Sequence, residues 1–159
     1  MVTHVFSQIY LHFNWHTLYD QPVLKGPLEQ YVQNYIRNRC RQTRGVFYEE
    51  VGGADTHVHL AIRCEPFVLV SDFIGEVKGA CSFETHKHFK RKLLDWQRGY
   101  GVVSFSKKQL PWIRAYIRKQ REHHKNGTIN DALEKHGEFE SPKEQLPKAG
   151  SKPAEDSFL

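Results

Sequence analysis

The sequence predicts an α+β domain built on an antiparallel sheet, and three observations carry that prediction. The chain opens with period-two apolar alternation, the pattern of a strand. Apolar residues at helical spacing recur in three later stretches. Between the first two of these lie two short runs joined by Gly52-Gly53-Ala54-Asp55, the composition of a hairpin turn.

Taken in order, Val5, Ser7, Ile9, Leu11 and Phe13 alternate with Phe6, Gln8, Tyr10 and His12, which predicts an opening strand with both faces partly buried. From Pro27, residues Leu28, Tyr31, Val32, Tyr35 and Ile36 mark a helix that starts on Gly-Pro and ends at Gly45. Val46–Val51 and Thr56–Arg63 predict the hairpin strands, with a turn over residues 52–55. Val68–Phe89 predicts a second helix, with Val70, Phe73, Ile74, Val77 and Phe83 on one side and Gly75 and Gly79 weakening it. Trp96 and Tyr100–Phe105 supply a last strand, and Pro111–Lys125 a last helix ended by Asn126-Gly127. The order β-α-β-β-α-β-α contains the ferredoxin-like unit, an antiparallel sheet with two helices on one face, here with an extra C-terminal helix that bears Tyr116.

With 159 residues, 39% of them apolar, the chain suits one domain, expected over residues 1–127. Residues 128–159 are charged, hold three of the seven prolines and have few large apolar side chains, so a disordered tail is expected. Residues 131–159 carry seven acids against four bases, leaving the first 130 residues with 19 bases and 11 acids beneath the overall charge of +5. A basic body with ten Phe, seven Tyr and three Trp suits a partner that offers phosphates and unpaired bases. Cys40, Cys64 and Cys81 are odd in number and widely spaced, which suggests neither a disulfide framework nor a zinc ribbon. No basic leader precedes an apolar run and no stretch reaches the roughly 18 apolar residues of a membrane span, so a cytoplasmic protein without membrane association is expected.

The chemistry centres on Thr56-His57-Val58-His59-Leu60. On a strand, residues i and i+2 face the same way, so two imidazoles can chelate one divalent ion while Val58 points into the core. A second such pair, His86-Lys87-His88, lies in a predicted helix, where i and i+2 diverge by roughly 200° and cannot easily share an ion. His123-His124, adjacent on a helix, reads as surface or phosphate contact. In the last helix Tyr116 and Gln120 stand one turn apart on one face. Arg37, Arg39, Arg41 and Arg44, then Lys90-Arg91-Lys92, then Lys107-Lys108 are candidate DNA-binding clusters, each equally readable as a solvated helix end.

A strand HxH followed by a helical YxxxQ resembles the single-tyrosine HUH transposases, the small TnpA insertion-sequence enzymes and the REP-associated tyrosine transposases. The resemblance rests on His57-Val58-His59, on Tyr116-Ile117-Arg118-Lys119-Gln120, and on Gly99-Tyr100-Gly101-Val102-Val103-Ser104-Phe105-Ser106 before that helix. His12-Phe13-Asn14-Trp15-His16-Thr17 matches the family's aromatic-rich first strand, and the likeness covers roughly residues 3–125. It implies a ferredoxin-like fold, a Mg²⁺ or Mn²⁺ cofactor held by His57, His59 and Gln120, and Tyr116 as the nucleophile. It further implies cleavage and rejoining of single-stranded, hairpin-containing DNA through a 5′-phosphotyrosine. A homodimer is expected, with Tyr116 of one chain meeting His57 and His59 of the other, because the linker Ser106–Leu110 is long enough to cross between subunits. The alternative is a ferredoxin-like module that binds single-stranded nucleic acid without cutting it, which leaves the strand histidines and the tyrosine helix unexplained. A zinc hydrolase or deaminase would need HExxH or PCxxC, and neither occurs.

Overall fold

The computed structural model describes residues 4–137. Four strands, β1 (Ile9–His16), β2 (Val46–Ala54), β3 (His57–Cys64) and β4 (Gly101–Phe105), form one antiparallel sheet in the order β2-β3-β1-β4. Helices α1 (Gly26–Gln42) and α2 (Val70–Phe89) connect them in the ferredoxin-like manner, and α3 (Leu110–Arg118), α4 (Gln120–Asn126) and α5 (Asp131–Glu134) follow. None of the described helices is long and apolar enough to cross a membrane.

Strand alternation divides the sheet between two cores. Leu11, Phe13 and Trp15 of β1 join Val58, Leu60 and Ile62 of β3 in the main core beneath α1 and α2. On the opposite face, Ala61 packs with Ile113, Tyr116, Ile117 and Leu133 from the C-terminal helices. Because both faces are covered, β1 is buried along nearly its whole length, and polar His12 and Asn14 are as buried as Phe13. Val5 and Phe6, read as part of the opening strand, precede β1 and are exposed.

Three further differences from the sequence reading have physical causes. Gly52 and Gly53 lie within β2, paired with His59 and Val58, because the absent side chains let other backbone approach: a Cβ on Gly52 would meet the Ile117 carbonyl oxygen at 2.5 Å. The predicted last helix is broken at Lys119 (φ −104°, ψ 26°), so Tyr116 lies in the last turn of α3 while Gln120 opens α4. The expected tail does not start at residue 128. Asn130 caps α5 through its side-chain oxygen, Leu133 is buried, and the buried Asn14 Nδ2 donates to the carbonyls of Leu133 and Lys135, both at 2.8 Å. Gly101 leaves room for that backbone, since a Cβ there would overlap the Lys135 carbonyl. Residues 138–159 of the expected tail lie outside the described residues.

Candidate active site

His57 and His59 sit at the start of β3 on the face away from α1 and α2, and both are essentially without solvent exposure. The period-two geometry foreseen from HxH holds, with ring centroids 5.0 Å apart. Gln120 is fully buried above them, its Oε1 3.1 Å from His57 Nε2 and its Nε2 donating to the Tyr116 carbonyl at 3.3 Å. The Tyr116 ring lies 6.0 Å from the His59 ring. Thus the four residues singled out from sequence converge on one point, within one chain.

Glu134, placed by sequence in the tail, completes the cluster. Its Oε1 accepts the Tyr116 hydroxyl at 2.5 Å, and its Oε2 stands 3.3 Å from His59 Nε2 and 3.7 Å from His57 Nε2. The Asn130 backbone N–H donates to the same phenolic oxygen at 2.9 Å. His124 borders the cluster, its Nε2 3.6 Å from Glu134 Oε1, and the His123 ring stacks on Tyr116 at 4.7 Å. No sequence signal marked Glu134; the nearest clue was Asn130-Asp131-Ala132-Leu133-Glu134, a short capped helix with a single apolar anchor.

Burial, and then the neighbouring His59, pulls the His57 imidazole down to about 3, and burial lowers His59 as well. Burial pushes Tyr116 up to about 12, assisted by its bond to Glu134. Burial alone would raise Glu134, but hydrogen bonding and charge from His59, Tyr116 and His57 outweigh it and hold the carboxyl at about 2. At neutral pH the cluster therefore combines neutral imidazoles, a protonated phenol and one carboxylate.

This donor set fits a divalent cation. His57, His59 and Glu134 each present a ligand atom, all within 4.8 Å of one another, and His59 Nε2 is buried without a hydrogen-bond partner. Two ligands about 2.1 Å from an octahedral ion and at right angles to each other stand about 3 Å apart, close to the His57–Gln120 and His59–Glu134 spacings of 3.1 and 3.3 Å. Beside His57 opens a groove of about 450 Å³ lined in part by His16, Asp55, Arg121 and His124.

The other candidates are dispersed. Arg37, Arg39, Arg41 and Arg44 cluster where α1 leads into β2, and Lys107-Lys108 follows β4; both lie at the end of the sheet away from His57. Arg39 approaches Glu76 at 3.7 Å, while Arg37 and Arg41 lie over the Tyr48 ring and Arg44 over Phe67. Lys90, Arg91 and Lys92 follow α2 at the His16 end, where Trp96 bridges to Thr17. The control pair diverges: His86 Nε2 is 2.5 Å from the Leu94 carbonyl, and His88 stacks on Tyr31. Within the single chain, α3 packs against its own sheet and brings Tyr116 to its own histidines. Ser106 and Gln109 form a capping box around a one-turn 3-10 helix, Lys107–Gln109, which returns α3 to its own sheet.

A ferredoxin-like sheet carrying paired strand histidines, with a tyrosine and a glutamine delivered by the C-terminal helices, defines a class of small DNA-processing domain. The model of the family "Transposase IS200 like" matches residues 5–120. The chain belongs to this family, the single-tyrosine transposases. The ISDra2 transposase TnpA of Deinococcus radiodurans is 26% identical over 121 residues, covering 72% of this chain and 86% of its own length. Among solved structures, a candidate transposase from Deinococcus radiodurans R1 shares the fold with a TM-score of 0.61 and 21% identity, covering 74% of this chain and 94% of that one. A REP-associated tyrosine transposase bound to a REP hairpin gives a TM-score of 0.54 and 14% identity, covering 81% of this chain and 76% of that one.

Proposed function

We propose that this transposase cleaves and rejoins single-stranded, hairpin-containing DNA, with Tyr116 as nucleophile and with His57, His59 and Gln120 holding Mg²⁺ or Mn²⁺. The observation that carries the reading is the meeting of the Tyr116 hydroxyl with a carboxylate that itself faces His59 Nε2, at 2.5 and 3.3 Å. The REP hairpin held by the REP-associated tyrosine transposase supports a hairpin-containing substrate.

When bound, the metal supplies positive charge to a non-bridging phosphate oxygen and offsets the charge that develops during transfer. The chain's own residues do the rest. Tyr116 Oη passes its proton to Glu134 Oε1 and forms a bond to phosphorus as the P–O3′ bond breaks, and the departing O3′ takes a proton from solvent, leaving a 5′-phosphotyrosine and a free 3′-hydroxyl. Among the described residues, the acceptor already bonded to the phenolic proton is Glu134 Oε1. Attack by another 3′-hydroxyl reverses the step and rejoins the strand without ATP. Arg121, held by Glu29, Asp55 and the Leu24 carbonyl, gives the groove a fixed guanidinium. Arg37, Arg39, Arg41 and Arg44, Lys90-Arg91-Lys92 and Lys107-Lys108 contribute contacts to the DNA backbone. One tyrosine serves one end per site, so two coupled cleavages call for a homodimer whose subunits each carry a complete site.

The test is covalent capture. Wild type and Tyr116→Phe are incubated with labelled single-stranded hairpins and Mg²⁺, then denatured. Wild type is expected to retain the label on the protein and Tyr116→Phe to lose it while still binding the hairpin. An adduct in Tyr116→Phe refutes the nucleophile, and hairpin binding by wild type with no cleavage under any divalent metal favours the non-catalytic module.

A further inference from the structure

We propose that His12 is a positioning residue whose Nε2 accepts the Nδ1–H of His59 and so keeps the His59 Nε2 lone pair turned toward the His57, Gln120 and Glu134 cluster. This rests on the metal-dependent reading above.

His12 lies on β1 and His59 on the adjacent β3, on the same face of the sheet, with His12 opposite Ala61 and therefore diagonal to His59. The two ring nitrogens are 2.8 Å apart and the ring centroids 4.9 Å. Both side chains are excluded from solvent, at 1% and 0% exposure, so neither ring nitrogen can turn to bulk water for a partner. A neutral imidazole has one N–H and one lone pair, and a nitrogen that holds a metal must offer the lone pair. The hydrogen then sits on the remote nitrogen and needs an acceptor. For His59 the partner of that remote nitrogen is His12 Nε2.

His57 shows the same construction from a different source. Its Nδ1 is 3.1 Å from Thr56 Oγ1 while its Nε2 faces Gln120 Oε1. Each strand histidine thus has its Nδ1 engaged and its Nε2 aimed at a common point. The opposite arrangement, with His12 donating, would place an N–H on His59 Nε2, 3.3 Å from Glu134 Oε2, and leave no lone pair there for a cation. The position also argues by contrast, since its neighbours Leu11 and Phe13 are apolar and His12 gains no solvent contact for its polarity.

The experiment uses the full chain and reads Mn²⁺ affinity by calorimetry in wild type, His12→Leu and His12→Gln, with ¹⁵N imidazole shifts recorded on Mg²⁺-saturated wild type. Loss of the acceptor in His12→Leu is expected to weaken Mn²⁺ binding by roughly 10–100-fold. The metal-free melting temperature should fall in His12→Leu, because the buried His59 N–H loses its acceptor, and circular dichroism checks that the variant folds before its Mn²⁺ affinity is compared. His12→Gln, whose amide oxygen reaches the place of Nε2, should restore most of the affinity, and the shifts should place the His59 proton on Nδ1. Wild-type affinity in His12→Leu, equal weakening in the Leu and Gln variants, or a proton on His59 Nε2 in the Mg²⁺-saturated protein each overturns the proposal alone. Absence of saturable Mn²⁺ binding by wild type overturns the metal-dependent reading itself, and it is visible before any variant is compared.

Discussion

Replacing Asn14 with alanine should release the segment that carries Glu134 without unfolding the sheet. Asn14 Nδ2 makes two hydrogen bonds to that segment, to the carbonyls of Leu133 and Lys135. At a net 0.5–1.5 kcal/mol each, they hold it by about 2 kcal/mol. That is an upper figure, because Asn14 Oδ1 is buried and unpaired and its removal returns part of the loss. At about 1.36 kcal/mol per factor of ten, the opening equilibrium rises at most roughly 30-fold. The effect stays local, since β1 keeps its ladders to β3 and β4. Native-state hydrogen exchange reads it directly at two amides, Asn130 N–H, bonded to Tyr116 Oη, and Leu133 N–H, bonded to the Asn130 carbonyl. Both should exchange about 10–30-fold faster in Asn14→Ala while the amides of β1 and β3 keep their wild-type rates. Unchanged exchange at Asn130 and Leu133, or equal acceleration throughout the sheet, would refute the reasoning.

Three further outcomes follow from the same geometry. His57→Ala and His59→Ala should each lower metal-dependent cleavage by about 100-fold or more, whereas His86→Ala and His88→Ala, whose rings are engaged at Leu94 and Tyr31, should change it little; equal damage from both pairs, in proteins shown folded by circular dichroism, would count against the strand site. The metal-free protein should lose stability as the pH falls from 6.5 toward 3, because His57 stays neutral when folded down to about 3 while the unfolded chain takes up its proton near 6.5. By pH 5 this amounts to about 2 kcal/mol from His57, and equal thermal midpoints at pH 7.5 and pH 5 would contradict it. Co-refolded mixtures of Tyr116→Phe and His57→Ala chains should remain inactive in the cleavage assay, since each chain builds its site from its own residues; recovered cleavage would demonstrate exchange between subunits.

The fold was legible because its signals are periodic and local. Leu28, Val32 and Ile36 mark the buried side of α1, and the HxH pair needs only the two-residue repeat of a strand to share a face. The misread elements depended on partners distant in sequence. Gly52 and Gly53 look like a turn until Ile117, some 65 positions on, is known to press against them. The opening strand reads as partly buried on both faces, and only the second core explains why His12 and Asn14 are buried completely. Glu134 was invisible for a related reason: residues 128–137 have the composition of a solvated tail, and what orders them is Asn14, more than 110 positions earlier.

Under the proposed function, the layout of charge along the strands would set how DNA reaches the site. His57 opens β3 and Cys64 closes it, paired with Val46 directly after the arginine cluster. Seven residue steps at about 3.3 Å separate the two ends of the sheet by about 23 Å. At 3.4 Å per stacked nucleotide, a single strand that touches both the arginines and Tyr116 spans about seven nucleotides. Lys90, Arg91 and Lys92 lie at the His57 end instead, beside the segment that bridges to Thr17. The two basic regions therefore have different reach: the nearer suits phosphates flanking the scissile bond, and the farther suits a structured element held at a distance from it. Phosphate contacts of this kind fix register rather than sequence. Under the proposed function, the distance between hairpin and cleavage point would follow from the length of the sheet.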